Sequence, residues 1–245
     1  MKKELLKDVK FKIALGVACL FLLPTLFLLS PIFYINEVEI SGISIINDGD
    51  IMNRLGLEST SNILLFNINA ARRRIEGNLY VDAVSIRRGM PNKLYVTILE
   101  RRLSAYVSHI PGSYMLLDDN GRVIEIRAFR SEPLPILQGL QFTYSQLGDI
   151  LNVYNDTDFL SVVQYTQLLV AYDIINEITY INVSDPQNIR ILVNYLEFNV
   201  GNNTNADDKV RTIVEVLQQL PDAGRLRGFV DLREIRPEFI LTFLQ

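Results

Sequence analysis

The stretch Leu79-Tyr80-Val81-Asp82-Ala83-Val84-Ser85-Ile86-Arg87-Arg88, continued by Gly89-Met90-Pro91-Asn92 and then by Lys93-Leu94-Tyr95-Val96-Thr97-Ile98-Leu99-Glu100-Arg101, decides the fold. Val84 and Ile86 stand at every second position, as do Leu94, Val96 and Ile98, and a period of two is that of a strand with one buried face. Glycine, proline and asparagine between the runs are turn residues, so the two strands form a hairpin. Upstream, Val38 and Ile40 alternate with Glu37, Glu39 and Ser41 in a further strand closed by Gly42. Asn47, Asp48 and Asp50 offer caps for a short helix through Arg54 and Leu55 that stops at Gly56; Asn67 or Asn69 caps a second, Ala70 to Glu76, stopped at Gly77. Strand, helix, helix, strand, strand makes a small sheet with two helices on one face.

Further upstream, Ile13 to Phe33 reads IALGVACLFLLPTLFLLSPIF, an uncharged run of 21 residues. About 20 apolar residues are what a helix needs to cross the hydrocarbon core, so the run is expected to be a transmembrane helix. Residues 1–12 carry Lys2, Lys3, Lys7, Lys10 and Lys12 against Glu4 and Asp8, whereas the first charges after the run are Glu37 and Glu39. The positive-inside rule then puts the head in the cytoplasm and everything from about Tyr34 outside it. A cleaved signal peptide has a shorter apolar region ending in a small-x-small site, and Ser30-Pro31-Ile32 supplies none. Gly16-Val17-Ala18-Cys19 lacks the leucine of a lipidation site, and Cys19 is read as lipid-facing or helix-packing; Pro24 is tolerated in mid-span.

Composition removes several classes. The chain of 245 residues is 49% hydrophobic, too apolar for a disordered polypeptide, and its one cysteine allows no internal disulfide. A net charge of −4 gives no overall positive field, which excludes nucleic acid as a partner. Charge is also uneven: residues 34–102 have a net charge of +1 and residues 103–245 of −8, which marks a boundary near Arg102. Arg72, Arg73, Arg74, Arg87, Arg88, Lys93, Arg101 and Arg102 look like a basic patch, but three consecutive arginines on a helix point in three directions about 100° apart and no aromatic residues are interleaved, so the patch is read as a solvated face, with lipid headgroup or protein contact as the alternative.

In the second half, Ser113-Tyr114-Met115-Leu116-Leu117-Asp118-Asp119-Asn120-Gly121-Arg122-Val123-Ile124 is strand, tight turn, strand, with Asn120-Gly121 supplying positive φ. Leu134-Pro135-Ile136-Leu137-Gln138-Gly139 follows. Phe159 to Tyr172 is read as a helix preceded by Asp156, Thr157 and Asp158 as caps. Ile178 to Val183, Ile189 to Val193 and Leu196 to Val200 are read as strands. Val210, Ile213, Val214 and Leu217 are spaced i, i+3, i+4, i+7 and define an amphipathic helix over Ala206 to Leu220, ended by Pro221. Gly228-Phe229-Val230-Asp231-Leu232-Arg233 is the last expected strand.

Strand, two helices and a hairpin directly after an apolar run resemble a POTRA domain, and the wording of that hairpin, with Pro91-Asn92 leading into a strand that closes in Glu100-Arg101, resembles the FtsQ/DivIB cell-division family. The likeness continues through the Asp118–Gly121 turn, the Leu134-Pro135 segment and Asp231-Leu232-Arg233, and so covers Tyr34 to Arg233 in order. Past Arg233 the chain runs Glu234-Ile235-Arg236-Pro237-Glu238-Phe239-Ile240 without the glycine turn often found in that family.

The resemblance implies an α+β chain: a cytoplasmic head (1–12), a transmembrane helix (13–33), a POTRA domain (34–102), a mixed β domain with a C-terminal edge strand (103–233) and a tail (234–245). It implies a non-enzymatic, cofactor-free scaffold in the cell membrane at the division septum, with its bulk outside. There it joins FtsL and DivIC/FtsB and supports septum formation and septal peptidoglycan synthesis, in contact with a peptidoglycan synthase. An edge strand can accept a partner strand through main-chain hydrogen bonds. The family's partner region lands on Phe229, Val230, Asp231, Leu232, Arg233, Glu234 and Ile235, with Phe239 as a further apolar anchor. The competing reading makes Val230 and Leu232 core residues and leaves Arg233 and Glu234 as the exposed test positions.

Chemistry is scarce. His109 is the only histidine, in a Ser108–Gly112 turn, and Cys19 lies in the apolar run, so neither a Cys/His nucleophile nor a Cys/His zinc site can form outside a membrane. Asp118-Asp119 and Asp207-Asp208 are the candidate carboxylate pairs for a wall-degrading enzyme, but one falls in a turn and the other at a helix start, where acids have structural uses. No metal site and no phosphate loop is read. A POTRA chaperone or secretion component would bring repeated POTRA units or barrel strands, which the sequence lacks.

Overall fold

The computed structural model describes residues 2–143, 145–219, 227–234 and 241–243. The chain divides into two compact units, Met1–Glu100 and Arg101–Gln245.

The first unit opens with helix α1 (Lys2–Leu28), which has Pro24 inside it and is followed by a single 3-10 turn, Pro31–Phe33. The expected span therefore differs in extent: the helix begins in the charged head and ends five residues before Phe33. Ser30 is extended because it precedes Pro31, and Pro31 has no N–H to continue the ladder. Among the described residues no helix is long and apolar enough to cross a membrane. The side chain of Cys19 lies outside the described set.

Strand β1 (Glu37–Ser41), helices α2 (Asp48–Leu55) and α3 (Ile68–Glu76), and strands β2 (Val81–Gly89) and β3 (Lys93–Glu100) follow in the expected order. The sheet runs β1-β3-β2, with β1 parallel and β2 antiparallel to β3. Asn47 caps α2 by accepting from the Gly49 amide at 2.7 Å, and Gly56 ends it at φ 65°. Asn67, not Asn69, caps α3, accepting from the Ala70 amide at 3.0 Å. Ile51 and Leu55 from α2, Ala71 and Ile75 from α3, and Val84, Ile86, Leu94, Val96 and Ile98 from the sheet share one core. This is the layer of two helices on a sheet that the alternation demanded.

Among the described residues the second unit is built on nine strands: β4 (Leu103–Ser108), β5 (Tyr114–Asp118), β6 (Val123–Arg127), β7 (Ile136–Gln138), β8 (Ile178–Asn182), β9 (Ile189–Val193), β10 (Leu196–Gly201), β11 (Gly228–Asp231) and β12 (Leu241–Phe243). Their order is β12-β11-β10-β9-β8-β7-β4-β5-β6. The sheet is mixed: β7 lies parallel to β4 and β8, β11 lies parallel to β10, and the remaining pairs are antiparallel. Helix α4 (Asp156–Ala171) packs on β4, α5 (Ala206–Gln219) on β10, and the two helices on each other. The cap of α4 is Asn155, one residue before the expected acids. Leu220 and Pro221, the expected stop of α5, lie outside the described residues.

Two corrections concern the C-terminal end. The strand expected to reach Arg233 stops at Asp231, where the Leu232 amide turns to the Asn199 carbonyl at 2.8 Å. And β11 is not the edge: Leu241–Phe243, expected in a tail, pairs antiparallel with it, Phe229 opposite Thr242 and Val230 opposite Leu241. A bare β11 would leave a row of unpaired amides and carbonyls, which β12 takes up.

Candidate partner-binding site

Sheet register sorts the seven candidate residues. Glu197 of β10 lies opposite Leu192 of β9 and Phe229 of β11, and Leu192 opposite Tyr180 of β8, so Tyr180, Leu192, Glu197 and Phe229 form one row across the sheet. All four are half-buried. The next row, Ile181, Ile191, Phe198 and Val230, is fully buried at 0% exposure each. Because successive side chains point to opposite faces, Val230 belongs to the core, and Phe229 and Asp231 face the other way. Leu232, just past the strand, is buried too, whereas Arg233 and Glu234 are exposed. Ile235 and Phe239 lie outside the described residues.

Asp231-Leu232-Arg233 is a folded turn. Asp231 accepts from the Arg233 amide at 3.1 Å, and the Arg233 guanidinium forks onto the same carboxylate, its Nη2 at 2.5 Å from Oδ2. The Asp231 carboxylate holds Arg233 firmly charged, above its ordinary value. The stem of Arg233 lies over Gly201, where an added Cβ would sit 3.0 Å from Arg233 Cγ. Asn199, 5% exposed, ties the turn to β10 through its carbonyl and accepts from the Gly201 amide at 3.0 Å.

The half-buried row beside this turn is polar and connected. Tyr180 donates to Glu197 at 2.6 Å, and Arg190 reaches the same carboxylate at 3.3 Å. Burial, and then the Glu197 carboxylate, push the Tyr180 phenol up to about 12. The surface around Phe229 is thus an aromatic residue flanked by paired charges, a composition suited to a protein interface.

Behind it lies a feature that the sequence reading missed. Lys209 of α5 is 2% exposed, and its ammonium donates to the Val200 carbonyl at 2.6 Å and the Asn202 carbonyl at 3.0 Å. Tyr165 of α4 donates to the Asn202 carbonyl as well, at 2.8 Å. Burial pushes Lys209 down and Tyr165 up. A lysine one position before the apolar stripe of α5 was the available signal, but its burial depends on where β10 ends.

The candidate carboxylates are structural. The Asp118 side chain is 0% exposed, lies 3.3 Å from Arg101, and accepts from the amides of Asn120 and Arg122 at 2.9 and 2.8 Å. Asp119 lies 3.8 Å from Arg102. Asp207 accepts from Tyr172 at 3.1 Å, and Asp208 pairs with Arg211. His109 sits in the β4–β5 loop, its amide bonded to the Ser113 carbonyl. Among the described residues no group of three or more His, Cys, Asp or Glu side chains could hold a metal ion.

Glu100-Arg101, which closes the fold-deciding stretch, falls at the division between the units. Glu100 accepts from the Ser44 hydroxyl and the amides of Ser44, Ile45 and Ile46 in the first unit, and Arg101 pairs with Asp118 in the second. One dipeptide thereby fixes a loop in each.

Comparison with known proteins agrees with this architecture. Residues 33–101 match the POTRA domain, FtsQ-type, and residues 105–233 match the C-terminal domain of cell division protein FtsQ/DivIB. The chain is similar to cell division protein DivIB of Clostridium botulinum strain Loch Maree, 26% identical over 233 residues that cover 94% of this chain and 90% of the relative. DivIB of Clostridium tetani is 22% identical over 86% of this chain and 80% of its own, and FtsQ of Rhizobium meliloti 31% identical over 44% and 35%. With two units matched in order across nearly its whole length, the chain belongs to the FtsQ/DivIB family of cell division proteins.

Proposed function

We propose that this protein is a membrane-anchored, non-enzymatic scaffold of the division septum that binds FtsL and DivIC/FtsB-type proteins at the C-terminal end of its nine-stranded sheet and so supports septal peptidoglycan synthesis. The observation that carries the reading is the end of the sheet itself. Strand β12 is last in the order, pairs with β11 over only three residues, and has half-buried Phe229 opposite Thr242, with exposed Arg233 and Glu234 following β11 in the chain. A partner strand added beside β12 gains main-chain hydrogen bonds, while Phe229, Asp231, Arg233 and Glu234 supply the side-chain contacts. Val230 and Leu232 support the site from the core.

The anchor in this reading is the apolar run. Leu20, Phe21, Leu22, Leu23, Leu26 and Phe27 are each more than half exposed and point all round α1, a surface that favours lipid over water. From Ile13 to Leu28 the helix rises ~24 Å, and Leu29 to Ile32 supply the remainder of a ~30 Å core. The lysines of residues 1–12 keep the head on the cytoplasmic side.

The test is a titration of the full chain in detergent against full-length DivIC and FtsL proteins, beside the variant Arg233→Glu, Glu234→Lys. Both side chains are exposed, but Arg233 also forks onto Asp231 within the turn, so circular dichroism and a thermal melt establish that the variant is folded; the folded variant is expected to lose roughly tenfold or more in affinity. Unchanged affinity in a folded variant would remove this site from the reading, and absence of binding by the wild-type chain would remove the scaffold role.

A further inference from the structure

The end of the first unit nearest helix α1 carries a second surface. The helix runs out at Leu28, whose carbonyl accepts from Asn62 Nδ2 at 2.8 Å, and five residues later Phe33 is buried in the core of the β-α-α-β-β unit. The Ile63 amide donates to the Phe33 carbonyl and the Ile35 amide to the Ser61 carbonyl, so the chain leaving the helix is bonded along the loop 57–66. The Asn36 amide donates to the Asn92 carbonyl, which puts the β2–β3 turn at the same end. There is no slack between helix and domain.

Two apolar side chains stand out at this end, Leu65 in the loop at 71% exposure and Met90 in the turn at 57%. Exposed Arg88 joins their segments, donating to the Ile63 carbonyl at 2.6 Å and the Phe66 carbonyl at 2.9 Å, and Arg87 beside it is exposed too. Glu37 and Glu39, at the start of β1, are held by Lys93 at 2.8 and 2.9 Å, and Glu58 is the only carboxylate of the loop 57–66. Apolar tips beside Arg87 and Arg88, with the carboxylates of Glu37 and Glu39 taken up by Lys93, stand around the exit of an apolar helix and match the layer of a bilayer where acyl chains meet anionic headgroups.

We propose that this end of the domain rests on an anionic bilayer surface, with Leu65 and Met90 in the headgroup layer and Arg87 and Arg88 against the lipid phosphates. The inference rests on the anchor reading above and goes beyond it. An anchor alone leaves the domain free to tilt away, whereas a seated base fixes the direction in which β1, β2 and β3 rise from the membrane. The opposite end of the sheet provides an internal control: Ile45, 52% exposed, is bonded to Glu100 at the far end of β3, ~23 Å along the strand from Lys93 at ~3.3 Å per residue.

The test uses the full chain with Cys19→Ser and one new cysteine at a time, Leu22→Cys, Leu65→Cys, Met90→Cys or Ile45→Cys, each carrying an environment-sensitive fluorophore. The protein is reconstituted into vesicles of phosphatidylcholine and phosphatidylglycerol, with and without lipid bearing a nitroxide, placed near the end of the acyl chain to read position 22 and near its top to read positions 65, 90 and 45. The expected result is loss of emission at positions 22, 65 and 90 and none at 45. Loss at 22 with positions 65 and 90 as bright as 45 overturns the seated base and leaves the anchor intact. No loss at 22 overturns the anchor and this proposal with it. Loss at all four positions overturns the proposal as general adsorption.

Discussion

Replacing Glu100 by glutamine is expected to loosen one loop by a calculable amount. The Glu100 carboxylate accepts from the Ser44 amide at 3.0 Å, the Ser44 hydroxyl at 2.6 Å, the Ile45 amide at 3.0 Å and the Ile46 amide at 2.8 Å. Partial burial pushes its pKa up, but the bonds from the Ser44 hydroxyl and from the amides of Ile46, Ser44 and Ile45 outweigh this and hold it below its ordinary 4.5. A hydrogen bond to a charged group is worth ~1.5–3 kcal/mol net. Glutamine keeps one acceptor oxygen but turns an NH2 group toward donors, and the site is only partly buried, so the loss is set at about 2 kcal/mol. That corresponds to roughly thirtyfold faster exchange of the Ile45 and Ile46 amides at pH 7, where local opening governs the rate. Hydrogen exchange read by mass spectrometry on peptides spanning 42–50 measures it. Since the folded pKa is depressed, the stabilisation is present above pH 4.5 and disappears as pH falls through the folded value. The gap between wild type and Glu100→Gln, corrected for intrinsic rates, should therefore close in acid. Equal exchange at pH 7, or a gap that persists in acid, would refute the reasoning.

Three further substitutions probe the second unit. Asp118→Ala removes the carboxylate 3.3 Å from Arg101 and the acceptor of two turn amides; a loss of about 3 kcal/mol is expected in urea unfolding, and a smaller one for Asp118→Asn, which keeps an acceptor for the turn. Gly121 has φ +77° and its Cβ would lie 2.2 Å from Phe159 Cζ, so Gly121→Ala should lower stability by about 2 kcal/mol or more, partly recovered by adding Phe159→Leu; thermal melts of the single and double variants decide it. Lys209→Met removes a buried charge and keeps the volume, which should leave stability within ~1 kcal/mol of wild type, whereas Lys209→Ala opens a cavity and costs ~2–4 kcal/mol. Because burial lowers the Lys209 pKa, wild-type stability should rise with pH between the folded and unfolded values, and Lys209→Met should lack that slope in denaturation curves taken across alkaline pH.

The first unit was legible because its signals are local. Val84, Ile86, Leu94, Val96 and Ile98 alternate, Asn47 and Gly56 bracket α2, and each requirement is met within a few residues of where it is written. The candidate site was legible only as a stretch. Residues 229–234 could be named, but which of them are accessible depends on pairing with β10, some thirty residues away, and on the parity of that register. Had β11 slipped by one residue, Val230 would face outward and Phe229 inward. Likewise Leu241-Thr242-Phe243 shows alternation over three residues, too short to identify as a strand before β11 provides its partner.

Taken alone, the sequence determined the two-part organisation, the order of elements in the β-α-α-β-β unit, and the apolar run with its lysine-rich head. These follow from periodicity, capping and inventory, which are properties of neighbours along the chain. The tertiary structure decided that α1 stops at Leu28, that β12 and not β11 ends the sheet, that Val230 and Leu232 are core while Phe229, Asp231, Arg233 and Glu234 are accessible, and that Lys209 is buried. Each of these depends on contacts between distant segments, whose free energy is set by packing and register rather than by local preference.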